Sequence, residues 1–386
     1  MDIYFDNSAT TKIDLTVLAK MNELNDSLYA NPSAMHRLGF LVEEEVKKAT
    51  EGIAKNINAE AKEIIWTSGG SESNNLAIKG YLDAYKRKGN RLITTTIEHP
   101  SVYRCFKKLE EDGFDVRYLK VDSTGHIDIE ELKSLIDDNT ILVSIMYVNN
   151  EIGSVQDIDN IGKTIKTINN NCAFHVDFVQ GYGKYRVDVK KSKIDFLSIS
   201  SHKFYGPKGV GVLYKNKDVR INPIILGGSQ QNGYRAGTLN TTGIIGTYVA
   251  SDLVYTNLND EFTRLKNLKK FLIDELLSLD KKYGIITINS NMDDTFAPHI
   301  VSISFRGIRA EVMLHALEEK GVYVSSGSAC SSHDKKTSST LLSIGLKPEI
   351  AESTIRISFG RYNNENEIIS FISILDELIP KLNIKK

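Results

Sequence analysis

Two spacings of apolar residues share the first two-thirds of the chain. Short β-branched runs fall at 63–68 ("EIIWTS"), 91–95 ("RLITT"), 141–148 ("ILVSIMYV"), 173–178 ("AFHVDF"), 195–200 ("DFLSIS") and 209–214 ("GVGVLY"). Such runs predict strands buried on both faces. Between them the apolar positions recur at three and four residues. Val42, Val46, Ala49 and Ile53 mark one helix over 41–57. Strands alternating with helices predict an α/β fold: an open, mostly parallel sheet covered by helices on both sides.

The pattern changes near residue 258. Phe262, Leu265, Leu268, Leu272 and Leu276 line one face of a long amphipathic helix, and short strands follow at "GIITIN", "HIVSISF" and "STIRISF". This predicts a smaller α+β unit. The expected division is a large domain over 14–257 and a small one over 258–386, joined by residues 1–13. The Ser- and Gly-rich segment 325–339, "SSGSACSSHDKKTSS", is expected to be an exposed loop.

Bulk composition narrows the function. The chain has 386 residues, 41% of them hydrophobic and 25% charged, with a net charge of −1. That balance argues against a surface dedicated to nucleic acid. No apolar run approaches the roughly 18–20 residues that cross a bilayer. The opening "MDIYFDNSATT" has an early acid and no basic stretch, unlike a signal peptide, so a cytoplasmic protein is expected. Its three cysteines, Cys105, Cys172 and Cys330, lack disulfide or zinc spacing. Cys105, at helical spacing from Val102 and Leu109, and Cys172, at a strand start, read as structural.

Polar groups gather where the strands end, the side on which open α/β sheets bind ligands. "TSGGSESNN" runs from a strand through Gly69 and Gly70 to Ser71 and a helix start. That is an anion site by its N–H groups, or an ordinary capped helix. It lacks the Gly-Lys-Ser/Thr ending of a Walker loop. Asp177 ends a buried strand, where a carboxylate needs a cation or hydrogen-bond donors. His99 follows another strand in "IEHPS", and Asn149 and Asn150 follow a third; each also suits a structural role.

Lys203 lies between two apolar runs in "SISSHKFYGPKGVGVLY" and is expected to be buried. Burial disfavours the ammonium and makes the amine a nucleophile. The following "GPKGVG" has the wrong glycine order for a dinucleotide fingerprint and precedes a strand, which disfavours an NAD-dependent dehydrogenase. Together the groups offer an amine for an aldehyde, an acid for a pyridinium, a helix start for a phosphate and a flat imidazole. Those are the requirements of pyridoxal 5'-phosphate.

These residues lie in stretches that resemble one family throughout. "YFDNSATT", "NPSAMHR", "TSGGSESNN", "EHPSV", "TILVSIMYVNNEIG", "HVDFVQ", "SSHKFYGPKG", "YRAGT", "SSGSACSS" and "STIRISFGR" occur in the order found in cysteine desulfurases of the NifS/IscS type. These are class V aminotransferase-like, fold-type I pyridoxal-phosphate enzymes. The resemblance implies that Lys203 holds the cofactor aldehyde, Asp177 meets its ring nitrogen, Gln180 its ring oxygen, and His99 stacks on the ring and moves protons. Gly70, Ser71, Ser200 and His202 would hold the phosphate, with Thr238 reaching that of a partner subunit in a homodimer. Asn150 also belongs to the implied cofactor set, and Asn150 with Arg356 would grip the substrate carboxylate.

The implied reaction takes sulfur from L-cysteine, leaves L-alanine and places the sulfur on Cys330. A sulfur-acceptor protein, an iron–sulfur scaffold or a thiolation protein, would then receive it. His333, Lys335 and Lys336 are expected to lower the Cys330 pKa. The chain departs from the family at Phe178 and Tyr147, where a small residue and a histidine are usual, and at Gln231-Asn232, where a Glu-Arg pair is. A selenocysteine lyase, a class V aminotransferase and a non-catalytic binding subunit are the alternatives.

Overall fold

A computed structural model describes residues 2–326 and 337–383. Its strands are β1 (Ile3–Tyr4), β2 (Ile64–Thr67), β3 (Arg91–Thr95), β4 (Asp115–Leu119), β5 (Thr140–Met146), β6 (Ala173–Asp177), β7 (Phe196–Ser200) and β8 (Gly211–Lys215), then β9 (Ile286–Ile288), β10 (Ile300–Phe305), β11 (Val322–Tyr323), β12 (Ser325–Ser326) and β13 (Thr354–Ser358). The helices used below are α1 (Leu15–Ser27), α2 (Arg37–Asn56), α3 (Gly70–Tyr85), α4 (Pro100–Glu111), α5 (Ile129–Leu135), α6 (Ile158–Ile168), α7 (Thr241–Thr256) and α8 (Leu258–Tyr283).

Seven strands form one sheet in the order β2-β8-β7-β6-β5-β3-β4. Neighbours from β7 through β4 run parallel, and β8 runs antiparallel to both β7 and β2. β2 therefore points the same way as β7, so β2, β3, β5, β6 and β7 all end on one edge. The six strand runs expected from the sequence are the six of this sheet other than β4. In β4 only Val116 and Leu119 are buried, so the strand lacks an apolar run.

Apolar residues fill both faces of this sheet. Leu76, Ile78, Phe106 and Leu142 belong to the core under α3 and α4, and Ile53, Ile145, Phe174 and Ile199 to the core on the opposite side. α2 carries Val42, Val46, Ala49 and Ile53 inward, at the expected spacing, although it begins four residues earlier at Arg37. There His36 accepts from the Gly39 N–H at 3.2 Å and caps the helix.

A second sheet, β12-β13-β10-β9, has its own core. Leu265, Leu268, Leu272 and Leu276 of α8 pack there with Ile303, Ile357 and Phe371, and the N-terminal Ile3 and Phe5 join them. β1 pairs parallel with β11, which ties the chain start to this core. The expected exposed loop over 325–339 needs correction at its ends. Ser325 and Ser326 are buried because β12 pairs with β13, and Ser338 is buried as the cap of the helix after it.

Candidate active site

Each strand ending on the shared edge delivers polar groups to it. After β2 the chain passes Ser68 and Gly69 into α3, whose N-cap, Gly69, has no side chain to cap the first N–H groups. Glu72 turns back to accept from the Ser68 N–H at 2.8 Å, and Arg235 donates to it at 2.9 Å. The helix start at Gly70 and Ser71 keeps its N–H groups for an anion. Ser200, at the end of β7, packs beside it: a Cβ placed on Gly70 would lie 3.5 Å from Ser200 Cβ and only 2.7 Å from Val179 Cγ2. Glycine is needed there because main chain and neighbours are this close.

His99 caps α4 and is tied into a buried chain of hydrogen bonds. Its Nδ1 accepts from the Ser101 N–H at 3.2 Å, which leaves Nε2 to carry the ring proton. The Ser101 hydroxyl lies 2.8 Å from Nδ1 and accepts from Asn74 Nδ2 at 2.8 Å. Asn74 Nδ2 also donates to Asp177 Oδ2 at 2.9 Å, and the Val179 N–H donates to Oδ1 at 3.0 Å. Burial holds the His99 proton affinity below its ordinary value, opposed by Asp177 and reinforced by Lys203. The ring is therefore neutral near pH 7.

Lys203 lies in the single 3₁₀ turn after β7 and is half-buried, which corrects the expectation of burial. The strand ends before the turn, so the side chain leaves the sheet interior. Its Nζ donates to the main-chain oxygens of Ser8 at 2.6 Å and Ala9 at 2.8 Å. Gln180 donates to the same Ser8 oxygen at 2.9 Å. His202 lies 3.1 Å from Thr10 Oγ1, and burial first, then Lys203, pushes its pKa down to about 4. The "NSATT" stretch thus binds Gln180, His202 and Lys203 to one loop.

Arg356, on β13, donates through one terminal nitrogen to the Asn150 main-chain oxygen at 2.8 Å and through the other to Asp6 at 2.6 Å. Its Nε is buried with no partner among the described residues. Asn149 makes the turn after β5, accepting from Glu151 and Ile152 N–H groups. Thr238 is exposed on the loop leading into α7 and is not drawn into this cluster; Arg235–Glu72 ties that loop to the start of α3. Cys330, His333, Lys335 and Lys336 lie outside the described residues. The ends flanking them are held close to Arg356: Ser325 pairs with it across the sheet, and Ser338 donates to Glu151 Oε2 at 2.5 Å. Glu151 is half-buried, and burial of its carboxylate raises its pKa, opposed by Ser338 and Arg356.

Cys105 and Cys172 are buried thiols, pushed up to about 11 and about 12 by burial. Neither offers a thiolate near neutral pH. Phe178 and Tyr147, two departures from the family pattern, pack on each other, with ring centroids 4.8 Å apart and planes 28° apart. The added bulk at one position faces the aromatic ring at the other. Gln231 donates to the Trp66 carbonyl and accepts from its N–H, each at 2.6 Å, and so occupies the open edge of β2. The sequence reading missed Asn74, Ser101 and Asp6. A polar Asn74 on the apolar face of α3, among Ser73, Leu76 and Ala77, was the available signal for the first.

The chain belongs to the aminotransferase class-V family, whose model matches residues 3–371. It is 42% identical over 380 residues to the cysteine desulfurase IscS of Clostridium botulinum, covering 98% of this chain and 94% of that protein. The match to the IscS of Buchnera aphidicola is also 42%, over 385 residues, covering 98% and 93%. Among solved structures, a NifS-like protein aligns with a TM-score of 0.93 at 36% identity, covering 99% of this chain and 100% of the other. One described as SspA in complex with cysteine aligns at 0.78 and 33%, covering 94% and 100%.

Pyridoxal phosphate is the cofactor of this family, and the site's own chemistry fits it. Asn74 Oδ1 and Ser8 Oγ are buried acceptors with no partner among the described residues, and both flank the cluster of Asp177, Gln180 and Lys203. A carboxylate, a neutral imidazole, an amine and an uncapped helix start lie along one sheet edge.

Proposed function

We propose that this chain is a pyridoxal-phosphate-dependent cysteine desulfurase that takes sulfur from L-cysteine, releases L-alanine and carries the sulfur on Cys330 to an acceptor protein. The observation that carries this reading is the hydrogen-bonded series His99–Ser101–Asn74–Asp177 beside Lys203, at the carboxyl ends of β3, β6 and β7, in a chain 42% identical to IscS.

When bound, the cofactor supplies an electron sink that lets the substrate Cα lose its proton and the Cβ–S bond weaken. Lys203 Nζ would hold the cofactor aldehyde and afterwards move the Cα proton. Asp177, held by Asn74 and the Val179 N–H, would keep a proton on the ring nitrogen. His99 would lie against the ring and pass a proton at Nε2. Gln180 would bind the ring oxygen. Gly70, Ser71, Ser200 and His202 would hold the phosphate, and Thr238 would reach the phosphate site of a partner subunit in a homodimer. Arg356 and Asn150 orient the substrate carboxylate. The Cys330 thiolate would attack the substrate sulfur as the Cβ–S bond breaks, leaving a persulfide on Cys330 and a three-carbon skeleton that departs as alanine; of the residues flanking that segment, Ser325 pairs with Arg356 and Ser338 donates to Glu151.

The unit over 14–257 holds the cofactor, and the unit over 258–386 with 1–13 carries Arg356 and Cys330. Dimerisation is supported by the exposure of Leu226, 81%, and Met35, 104%, apolar side chains that a lone subunit leaves in water. No helix among the described residues is long and apolar enough to cross a membrane, and a cytoplasmic location suits the reducing chemistry of a persulfide carrier. Iron–sulfur cluster assembly or thiolation would consume the sulfur.

The test is release of alanine and sulfide from L-cysteine with a thiol reductant, comparing the wild type with Cys330→Ala. The reading requires both products from the wild type and neither from the variant. Equal activity of the variant would remove Cys330 from the reaction and favour a lyase. Pyruvate-linked transamination with no sulfide would favour an aminotransferase.

A further inference from the structure

Behind Lys203, a cavity of about 210 Å³ runs between the two cores. It is lined by Lys184, Tyr205, Asn257, Glu261 and Arg361, together with apolar neighbours. Lys184 is the feature that the catalytic reading does not use. It follows Asp177 by seven residues, in "QGYGK", and is almost wholly buried, at 7% exposure. Its Nζ donates to the main-chain oxygen of Lys203 at 2.5 Å. One face of the Lys203 turn is therefore gripped by another lysine, while the Lys203 side chain is gripped by Ser8 and Ala9 on the other.

We propose that Lys184 is a positioning residue for Lys203, fixing the Lys203 main chain through its carbonyl and placing a second amine charge behind it. The inference rests on Lys203 being the residue that holds the cofactor. The charged and titratable groups facing Lys184 are Lys203, His202, Glu261, His299, Arg361 and Tyr205. Glu261 is the single acid in this group, and its carboxylate is shared with Arg264 at 2.8 Å. Arg361 is already paired with Asp14.

Burial, aided by Lys203 and opposed by Glu261, pushes the Lys184 pKa down to about 7. The residue thus changes charge near neutral pH. A like charge nearby disfavours a proton, so a charged Lys184 favours the unprotonated nitrogen at Lys203. The hydrogen bond to the Lys203 carbonyl survives in either state, because a neutral amine still donates. Position is constant and charge is variable.

The experiment uses the cofactor-loaded protein and three chains: wild type, Lys184→Gln and Lys184→Met. Glutamine keeps a donor for the Lys203 carbonyl and removes the charge; methionine removes both. The primary readout is the pH midpoint of the bound cofactor's absorbance change, which reports the proton on the Lys203 nitrogen. The midpoint is expected to rise by about one unit in both variants. Cofactor retention on dialysis is expected to fall in Lys184→Met and hold in Lys184→Gln. Thermal unfolding of the cofactor-free proteins separates loss of folding from loss of positioning. If Lys184→Met fails to fold, the Lys184→Gln midpoint decides. An unmoved midpoint in Lys184→Gln would overturn the inference while leaving the desulfurase reading intact. A wild type that binds the cofactor away from Lys203 would overturn the desulfurase reading itself.

Discussion

At the ends of β3 and β6, His99, Ser101, Asn74 and Asp177 bond one another at 2.8–3.2 Å. Behind Lys203, the seam between the two cores is built differently. Lys184 and Lys269 are buried there on single main-chain carbonyls, and His299 is buried with both ring nitrogens unpartnered among the described residues. Burial pushes both lysines down to about 7 and holds His299 well below the ordinary histidine value. A connected polar network is rigid and keeps one protonation state. Isolated cations in a low-dielectric seam sit near their titration points. The first region suits the fixed demands of a bound ring; the second gives a charge that responds to pH.

The comparison breaks most sharply at Asn74. Removing its amide leaves Asp177 without its side-chain donor and the Ser101 hydroxyl with His99 alone. A buried carboxylate that loses a donor costs about 1–3 kcal/mol. Asn74→Ala is therefore expected to lower kcat about ten- to hundredfold, with a smaller change in KM. Steady-state alanine release measures it. A variant within about twofold of wild type would show that the network is not what orients Asp177.

Lys269 sharpens the other side. Its folded pKa lies below the unfolded value, so the unfolded chain binds more protons between about 7 and 10.5. The penalty for burying the ammonium is complete below about pH 7 and is relieved as pH rises toward the unfolded value. Stability against urea should therefore climb across that window. Lys184 contributes in the same direction, so Lys269→Met should lose about half of the climb and gain stability at pH 7. Urea midpoints at pH 7 and pH 9.5 check both. A variant with the full wild-type climb would contradict the account of the seam.

The floor of the site was readable in the sequence because strand ends announce themselves. Asp177 closes "AFHVD", His99 follows "RLITT" by four residues, and Ser200 closes "FLSIS". The alternation of strands and helices likewise gave six strands of the large sheet, and β4 escaped because only Val116 and Leu119 are buried, one on each face, which leaves no apolar run. The connections between elements were not readable. Asn74 meets Asp177 only because α3 packs across β6 and β7, and Asp6 meets Arg356 only because the chain start lies against β13. Neither contact has a local sequence signature.

The two lysines show the same limit. Flanking apolar runs pointed to burial at Lys203, yet the side chain emerges from a turn and is half-buried. Of the two, Lys184 is the buried one, in a stretch of glycines and tyrosines with no such flanks. Burial is a usual mark of an amine that condenses with an aldehyde, and here the more buried of the two is the neighbour. What singles out Lys203 is position: its amine shares the Ser8 oxygen with Gln180 and acts on His99.

The most direct test is therefore to load the protein with pyridoxal phosphate, reduce it with borohydride and map the labelled peptide. The account predicts the label on Lys203 alone, with Lys184 unmodified. A label on Lys184, or a cofactor bound without any lysine linkage, would contradict it.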